Sequence, residues 1–229
     1  MKYCYEYPRP ALTTDCVIFG YDSQKLKVLL IKRLKDPFEG TWAFPGGFVN
    51  EDENLIDGAK RELYEETKLK DVFIEQLYTF GDLGRDPRGR VVSVVYYSLI
   101  NLCEFEIQAG DDAGDAQWVE ISQAQNLAFD HNEILKTALD RIQGKIKYQP
   151  IGFELLPEKF TLSQIQHLYE TILQNKLDKR NFRKKILKTD LLIKLDEKEK
   201  NVAHKPANFY KFDKLKYEQL SKTGFEFQI

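Results

Sequence analysis

The stretch Gly47–Leu69, GFVNEDENLIDGAKRELYEETKL, constrains this chain more than any other. Gly47 is followed after five residues by Glu53, seven more lead to Arg61-Glu62, and Glu65-Glu66 close the set. The apolar spacing of Leu55, Ile56, Ala59 and Leu63 predicts a helix over about 54–67. Asn54 is placed to cap it, and Asp57 lies in the first turn, where negative charge suits the helix dipole. Positions three and four apart share a helix face, so Glu62, Glu65 and Glu66 converge on one side. Packed carboxylates repel one another, which is costly unless a cation lies between them. Their hard oxygens favour Mg2+ or Mn2+ over zinc. Gly46 and Gly47, just upstream, let the backbone approach a ligand closely. An acidic helix face alone is ordinarily a solvated surface. The fixed spacing of Gly, Glu, Arg-Glu and Glu-Glu is what singles this one out.

That full pattern resembles the Nudix box. The resemblance implies an α/β fold, a Nudix α/β/α sandwich, with a loop–helix–loop that binds Mg2+ (or Mn2+). It also implies cleavage of a nucleoside diphosphate linked to another group, such as ADP-ribose. Glu62, Glu65 and Glu66 would be the metal ligands, and Glu53, Arg61 and Glu66 the catalytic residues. Glu53 would act through the metal shell or by orienting Arg61, and Arg61 would tie the acidic cluster together. Hydrolysis of ADP-ribose would give AMP and ribose 5-phosphate. The chain departs from the family pattern at one point: the family usually has Gly two residues after the Glu pair, and here stands Lys68.

Charge divides the chain in two. Residues 1–150 carry 18 Lys+Arg against 25 Asp+Glu, a net of −7. Residues 151–229 carry 16 against 11, a net of +5. Such a contrast points to two units with different partners, the basic one facing a polyanion. A junction rich in Pro and Gly at about 146–157 separates a first domain, 1–148, from a second, 149–229. Strands are expected at 11–20, 27–33, 72–80, 91–102 and 116–121, with a second helix at about 132–145 capped by Asp130.

Beyond the junction, Thr161-Leu-Ser-Gln164 reads as a capping box opening a helix to about Leu173. Asp178 caps a second helix, and strands at 191–195 and 207–212 form a hairpin. Helix, turn, basic helix and hairpin is the order of a winged helix-turn-helix. Lys179, Arg180, Asn181, Arg183 and Lys184 crowd the start of the second helix, with Phe182, Ile186 and Leu187 facing the core. In a helix-turn-helix that end meets base edges, and Arg and Asn suit bidentate contacts with guanine and adenine. Basic helices also serve simply as solvated faces. His204 and Lys205 fall at the expected wing. This half of the chain resembles the winged helix of the Nudix-related transcriptional regulators, in which a Nudix-fold domain senses a ligand such as ADP-ribose. That resemblance implies double-stranded operator DNA as partner, and paired half-sites imply a homodimer.

Arg85-Asp-Pro-Arg88-Gly-Arg90 gathers guanidiniums, whose forked geometry clamps phosphates. Arg85 and Arg88 are therefore candidates for substrate binding with Gly46 and Gly47; an ordinary surface loop has the same composition. Asp111, Asp112 and Asp115 read as solvated turn residues or as a loop base, and Trp42 and Phe44 as core or as a stacking surface. His131, His167 and His204 form no ligand spacing. Cys4, Cys16 and Cys103 are odd in number and widely spaced, which suggests a reducing, cytoplasmic setting. No apolar run approaches membrane-spanning length, and MKYCYEYPRP has no signal-peptide apolar region.

Overall fold

The computed structural model describes residues 6–105, 107–109, 113–200, 205–225 and 227–229. Asp111, Asp112 and His204, singled out above, lie outside them. The described residues divide into two compact units, Met1–Gly20 with Lys27–Leu139, and Tyr21–Leu26 with Asp140–Ile229.

The strands β1 (Ala11–Tyr21), β2 (Leu26–Arg33), β3 (Trp42–Ala43), β4 (Gly46–Phe48), β5 (Glu75–Phe80), β6 (Val91–Asn101) and β7 (Ala113–Glu120) form one seven-stranded sheet, in the first unit apart from the end residues Tyr21 and Leu26. The order is β3-β2-β1-β6-β5, with β4 also on β1 and β7 also on β2. Nine consecutive residues of β1, Thr13 to Tyr21, are buried, as expected for a central strand covered on both faces. Helix α1 (Leu55–Thr67) lays Ala59 and Leu63 on Cys16, Ile18, Leu29, Val94 and Tyr96. Burying a leucine such as Leu63 contributes roughly 1.5–3 kcal/mol. The sheet begins its fifth strand at Glu75, not at Val72. Asp71 adopts a left-handed backbone (φ 58) that turns the chain first, although Val72 and Ile74 are still buried.

Helix α2 (His131–Tyr148) starts one residue earlier and ends three later than its apolar stripe suggests. Ile134 N–H donates to the Asp130 carbonyl at 3.1 Å, which puts Asp130 at the entry to the helix.

In the second unit, β8 (Phe160–Thr161) leads directly into α3 (Leu162–Leu173). The capping box is fully formed: Gln164 N–H donates to Thr161 Oγ1 at 3.2 Å, and Thr161 N–H to Gln164 Oε1 at 2.7 Å. A short turn is pinned by Glu170, which accepts from Leu177 N–H at 3.0 Å. It opens into α4 (Lys179–Lys188), capped by Asp178 through Asn181 N–H at 2.7 Å. The antiparallel pair β9 (Leu192–Lys198) and β10 (Asn208–Phe212) follows, with β8 as third strand and a last helix, α5 (Lys214–Lys222). The core of this unit is Phe160, Ile165, Leu168, Tyr169, Ile172, Phe182, Ile186 and Leu191. Leu187 is 45% exposed, contrary to its expected core position. Leu187 lies beyond the stripe set by Phe182 and Ile186, and Leu191, fully buried, closes that side instead. Among the described residues, no helix is long and apolar enough to cross a membrane.

Candidate functional site

The acidic helix and the glycine turn are built against each other. Gly46 N–H donates to Glu66 Oε2 at 2.9 Å. A Cβ on Gly47 would lie 2.5 Å from the Glu62 carboxyl, and one on Gly46 would lie 2.2 Å from the Thr14 carbonyl oxygen. Both positions are thus glycine because other groups fill the space, the second of them strand backbone.

Arg61 gathers the acidic residues. Its guanidinium reaches Glu53 at 2.7 and 3.0 Å, Glu62 at 2.8 Å, Glu65 at 3.1 Å and the Phe48 carbonyl at 3.1 Å. The hydrogen bond from Arg61 draws the Glu53 carboxyl down to about 2. Glu66 is on the buried side of α1, away from that guanidinium network. Burial pushes its carboxyl up to about 8, with Glu62 and Asp15 adding to the effect and the Gly46 N–H opposing it. Burial likewise raises Glu62, against the pull of Arg61. Carboxyls held this reluctantly in the charged form are a donor set that suits a divalent cation, and all their ligand atoms are hard oxygens. Among the described residues no three His, Cys, Asp or Glu side chains are gathered closely enough to hold an ion in this arrangement.

Asn54 stands at the N-cap of α1 without a capping side-chain bond; its amide donates to Asp57 at 2.9 Å instead. Lys68 explains the departure from the family pattern. It is the C-cap of α1 in the left-handed conformation (φ 58), donating its N–H to Tyr64 O at 2.8 Å. Glycine is favoured there because it has no Cβ to strain.

Beside the box lies a small open cleft lined by Asp15, Arg33, Gly46, Gly47, Phe48, Arg85, Arg88, Phe129 and His131 among others. Arg85 is nearly buried and clasps Asp130 with two bonds of 2.7 and 2.8 Å. Arg88 clasps Asp86, itself buried, and lies over the Phe48 and Phe129 rings at 4.8 and 5.4 Å. Arg33, at the end of β2, also lies over Phe129, at 4.9 Å, and bonds the carbonyls of Pro37 and Lys35. The ring of His131 stacks on Phe44, and its Nδ1 accepts from Phe44 N–H at 2.9 Å. This acceptor role leaves the proton on Nε2, 3.6 Å from Asp15 Oδ1. Burial lowers the pKa of His131, so the ring is neutral. Ser93 in turn donates to Asp15.

The structure thus joins Glu53, Glu62 and Glu65 through Arg61, lays Glu62 against Gly47 and bonds Glu66 to Gly46, and places Arg85 and Arg88 in the neighbouring cleft; Glu65 and Glu66 turn to different sides, so the expected convergence of Glu62, Glu65 and Glu66 is not met in this arrangement. Asp15, Arg33 and His131 escaped the sequence reading because strand topology, not spacing, assembles them; Asp86 clasps Arg88 within a single loop. Phe44 is core, 2% exposed. Asp115 bonds its neighbours Ala116 N–H and Gln117.

On α4, Lys179, Arg180, Asn181 and Lys184 are exposed. Arg183 is half-buried and donates to Ser163 Oγ at 3.1 Å, which ties α4 to the first turn of α3. Phe182 anchors the helix on Tyr169, with ring centroids 5.2 Å apart.

A glycine-backed acidic helix beside a charged cleft, followed by a winged helix-turn-helix, defines a two-domain protein of regulator type. Residues 9–141 match the NUDIX domain family, and residues 152–212 match the NrtR DNA-binding winged helix domain. The chain belongs to the Nudix family and carries an NrtR-type winged helix. It is 37% identical to the ADPR responsive transcriptional repressor NtrR of Acinetobacter baylyi, over 90% of this chain and 84% of that one. It is 38% identical to the ADP-ribose pyrophosphatase of Methanocaldococcus jannaschii, over 57% of this chain and 73% of that one. Shewanella oneidensis NrtR, crystallised with a 27mer DNA, superposes with a TM-score of 0.72 at 32% identity, covering 94% of this chain and 97% of that one.

Proposed function

We propose that this protein is a ligand-responsive transcriptional regulator. Its Nudix domain, residues 1–148, binds ADP-ribose or a related nucleoside diphosphate. Its winged helix, residues 149–229, binds double-stranded operator DNA, and the protein acts as a homodimer on paired half-sites. The observation that carries this reading is the presence in one chain of a guanidinium-lined Nudix cleft and a helix-turn-helix whose second helix exposes Lys179, Arg180, Asn181 and Lys184. The likeness to an ADP-ribose-responsive repressor over nine-tenths of the chain supports it. Arg180 and Asn181 are the residues of α4 suited to reading bases, Lys179 and Lys184 those suited to phosphates. Arg183 contributes by holding α4 to α3. Binding of the chain's own upstream intergenic DNA, followed through a salt titration, tests the reading. Absent or salt-insensitive binding contradicts it, because phosphate contacts release counterions.

A second reading, retained hydrolysis, is supported by the complete set of Glu53, Arg61, Glu62, Glu65 and Glu66, and by the likeness to an ADP-ribose pyrophosphatase. Glu62, Glu65 and Glu66 would hold Mg2+ or Mn2+, which neutralises diphosphate charge and activates water when bound. Arg61 positions the acids, Glu53 fixes Arg61, and the cleft arginines Arg85 and Arg88 hold phosphate oxygens. Incubation with ADP-ribose and Mg2+ then releases AMP, and Glu66→Gln abolishes it. No AMP from the wild-type protein leaves the Nudix domain a sensor alone.

A further inference from the structure

The first turn of α2 ties together three segments around the cleft. Three successive side chains there each hold a different segment. Asp130 holds Arg85 of the β5–β6 loop through two bonds of 2.7 and 2.8 Å. His131 holds Phe44 N–H at 2.9 Å and faces Asp15 of β1. Asn132 holds Leu127 N–H at 2.8 Å. Helix α2 then continues to Tyr148, and the division between the two compact units falls within it, between Leu139 and Asp140.

Of these three links only the Arg85–Asp130 pair uses a group that a ligand would also seek. Arg85 lines the cleft, yet its fork is filled by a carboxylate of the protein itself. A phosphate offers a guanidinium the same two-oxygen geometry as a carboxylate, with more charge. A diphosphate entering the cleft therefore competes directly with Asp130. Both cannot remain close, because their like charges repel in a site where Arg85 and Asp130 are 5% and 15% exposed.

The geometry points to Asp130 as a built-in counter-ion for Arg85, displaced when a diphosphate ligand binds. This rests on the reading that the cleft takes ADP-ribose or a relative, and adds how occupancy is reported. Once released, the Asp130 carboxylate stands at the N-terminal entry of α2, where the helix offers N–H groups and a favourable dipole. The exchange resets the first turn of a helix that runs on into the DNA-binding unit. Arg88, clasped by Asp86 within its own loop, pairs with no carboxylate at the entry of α2 among the described residues and touches that entry only through the Phe129 ring, so it serves as the internal control.

The test uses the full-length protein, ADP-ribose and its upstream DNA. Calorimetry gives the ADP-ribose Kd, and fluorescence anisotropy gives the DNA Kd with and without ADP-ribose. In the wild type, saturating ADP-ribose changes the DNA Kd by roughly fivefold or more. Asp130→Asn frees Arg85, so ADP-ribose binds roughly tenfold more tightly, the scale of one charge-assisted hydrogen bond. In the same variant the ligand-dependent change in DNA Kd collapses towards one. Asp130→Glu, which keeps the charge, retains the change, and Asp86→Asn retains it as well. Unaltered ADP-ribose affinity together with an unaltered DNA response in Asp130→Asn overturns the inference. An equal loss of response in Asp86→Asn also overturns it, because cleft charge in general would then be responsible. Should the wild-type protein bind no ADP-ribose, the ligand reading itself fails and the inference goes with it; the two failures differ in which protein shows them. A cooperative melt for each variant establishes that the comparison is made between folded proteins.

Discussion

In the Nudix domain the guanidiniums of Arg61, Arg85 and Arg88 each meet a carboxylate at 2.6–2.8 Å, while on α4 Lys179, Arg180 and Lys184 are exposed and make no ion pair among the described residues. The first arrangement is a preorganised interior. Its charges are paired, Arg85 and Glu66 are largely buried, and Glu62 and Glu66 are held against glycines with no room for a Cβ. The second is a surface whose charges are compensated by water until a polyanion replaces it. Mutations should therefore act differently in the two places. In the cleft they strain the fold and the ligand site together. On α4 they spare the fold and change only what it binds.

The largest effect is expected where the cleft meets backbone. Gly46→Ala puts a Cβ 2.2 Å from Thr14 O, which cannot move without disturbing β1. A loss of about 3 kcal/mol follows in urea unfolding. A change below about 0.5 kcal/mol, the ordinary range for surface substitutions, would show the turn to be far looser than described.

On α4 the contrast reverses. Lys179→Ala combined with Lys184→Ala should leave unfolding within about 0.5 kcal/mol of wild type. The slope of log Kd for DNA against log salt should nevertheless fall by about 2, one for each phosphate that the variant no longer neutralises. An unchanged slope would remove these residues from the interface.

A smaller and pH-dependent effect separates the buried cleft from the open helix. Burial lowers the pKa of His131 in the folded protein, so below about pH 6.5 the unfolded chain binds the proton more readily. Stability contributed by neutral His131 is thus fully present above that pH and lost as pH falls through it. In His131→Asn the amide oxygen can still accept from Phe44 N–H, and the acid-side loss attributable to this residue disappears. The gap between the two proteins changes by at most about 1.4 kcal/mol per pH unit. Parallel stability curves from pH 7.5 to 5 would contradict this.

The smallest effect concerns Lys68. Its left-handed C-cap conformation costs an L-residue about 1 kcal/mol, which Lys68→Gly should recover in thermal unfolding. Destabilisation would mean that the Lys68 ammonium over the Tyr64 ring, at 5.4 Å, outweighs the strain.

The same contrast governs what the sequence reveals. Local features were legible: α1 within a residue, the capping box at Thr161 and Gln164, and the order of helices and hairpin in the second unit. Each depends on residues a few positions apart. The exposed cations of α4 were legible for the same reason. The cleft was legible only in part. The glycines and glutamates lie within twenty residues of one another, but Asp15 and His131 meet across the sheet, and Arg33 and Arg88 meet over Phe129. Nothing in their spacing foretells that. Helix α5 was missed because it buries no residue and so leaves no periodic stripe. Leu187 was misplaced because one extra apolar residue beside a stripe does not say which of two neighbours turns inward.

The central claim, that one chain couples a ligand-filled Nudix cleft to a DNA-reading helix, is tested most directly by a single titration. Full-length protein bound to its fluorescent upstream DNA at fixed salt is titrated with ADP-ribose and followed by anisotropy. The account predicts a saturable change in DNA occupancy that is absent in Arg85→Ala. Constant occupancy across saturating ADP-ribose, with the ligand shown by calorimetry to be bound, would contradict it.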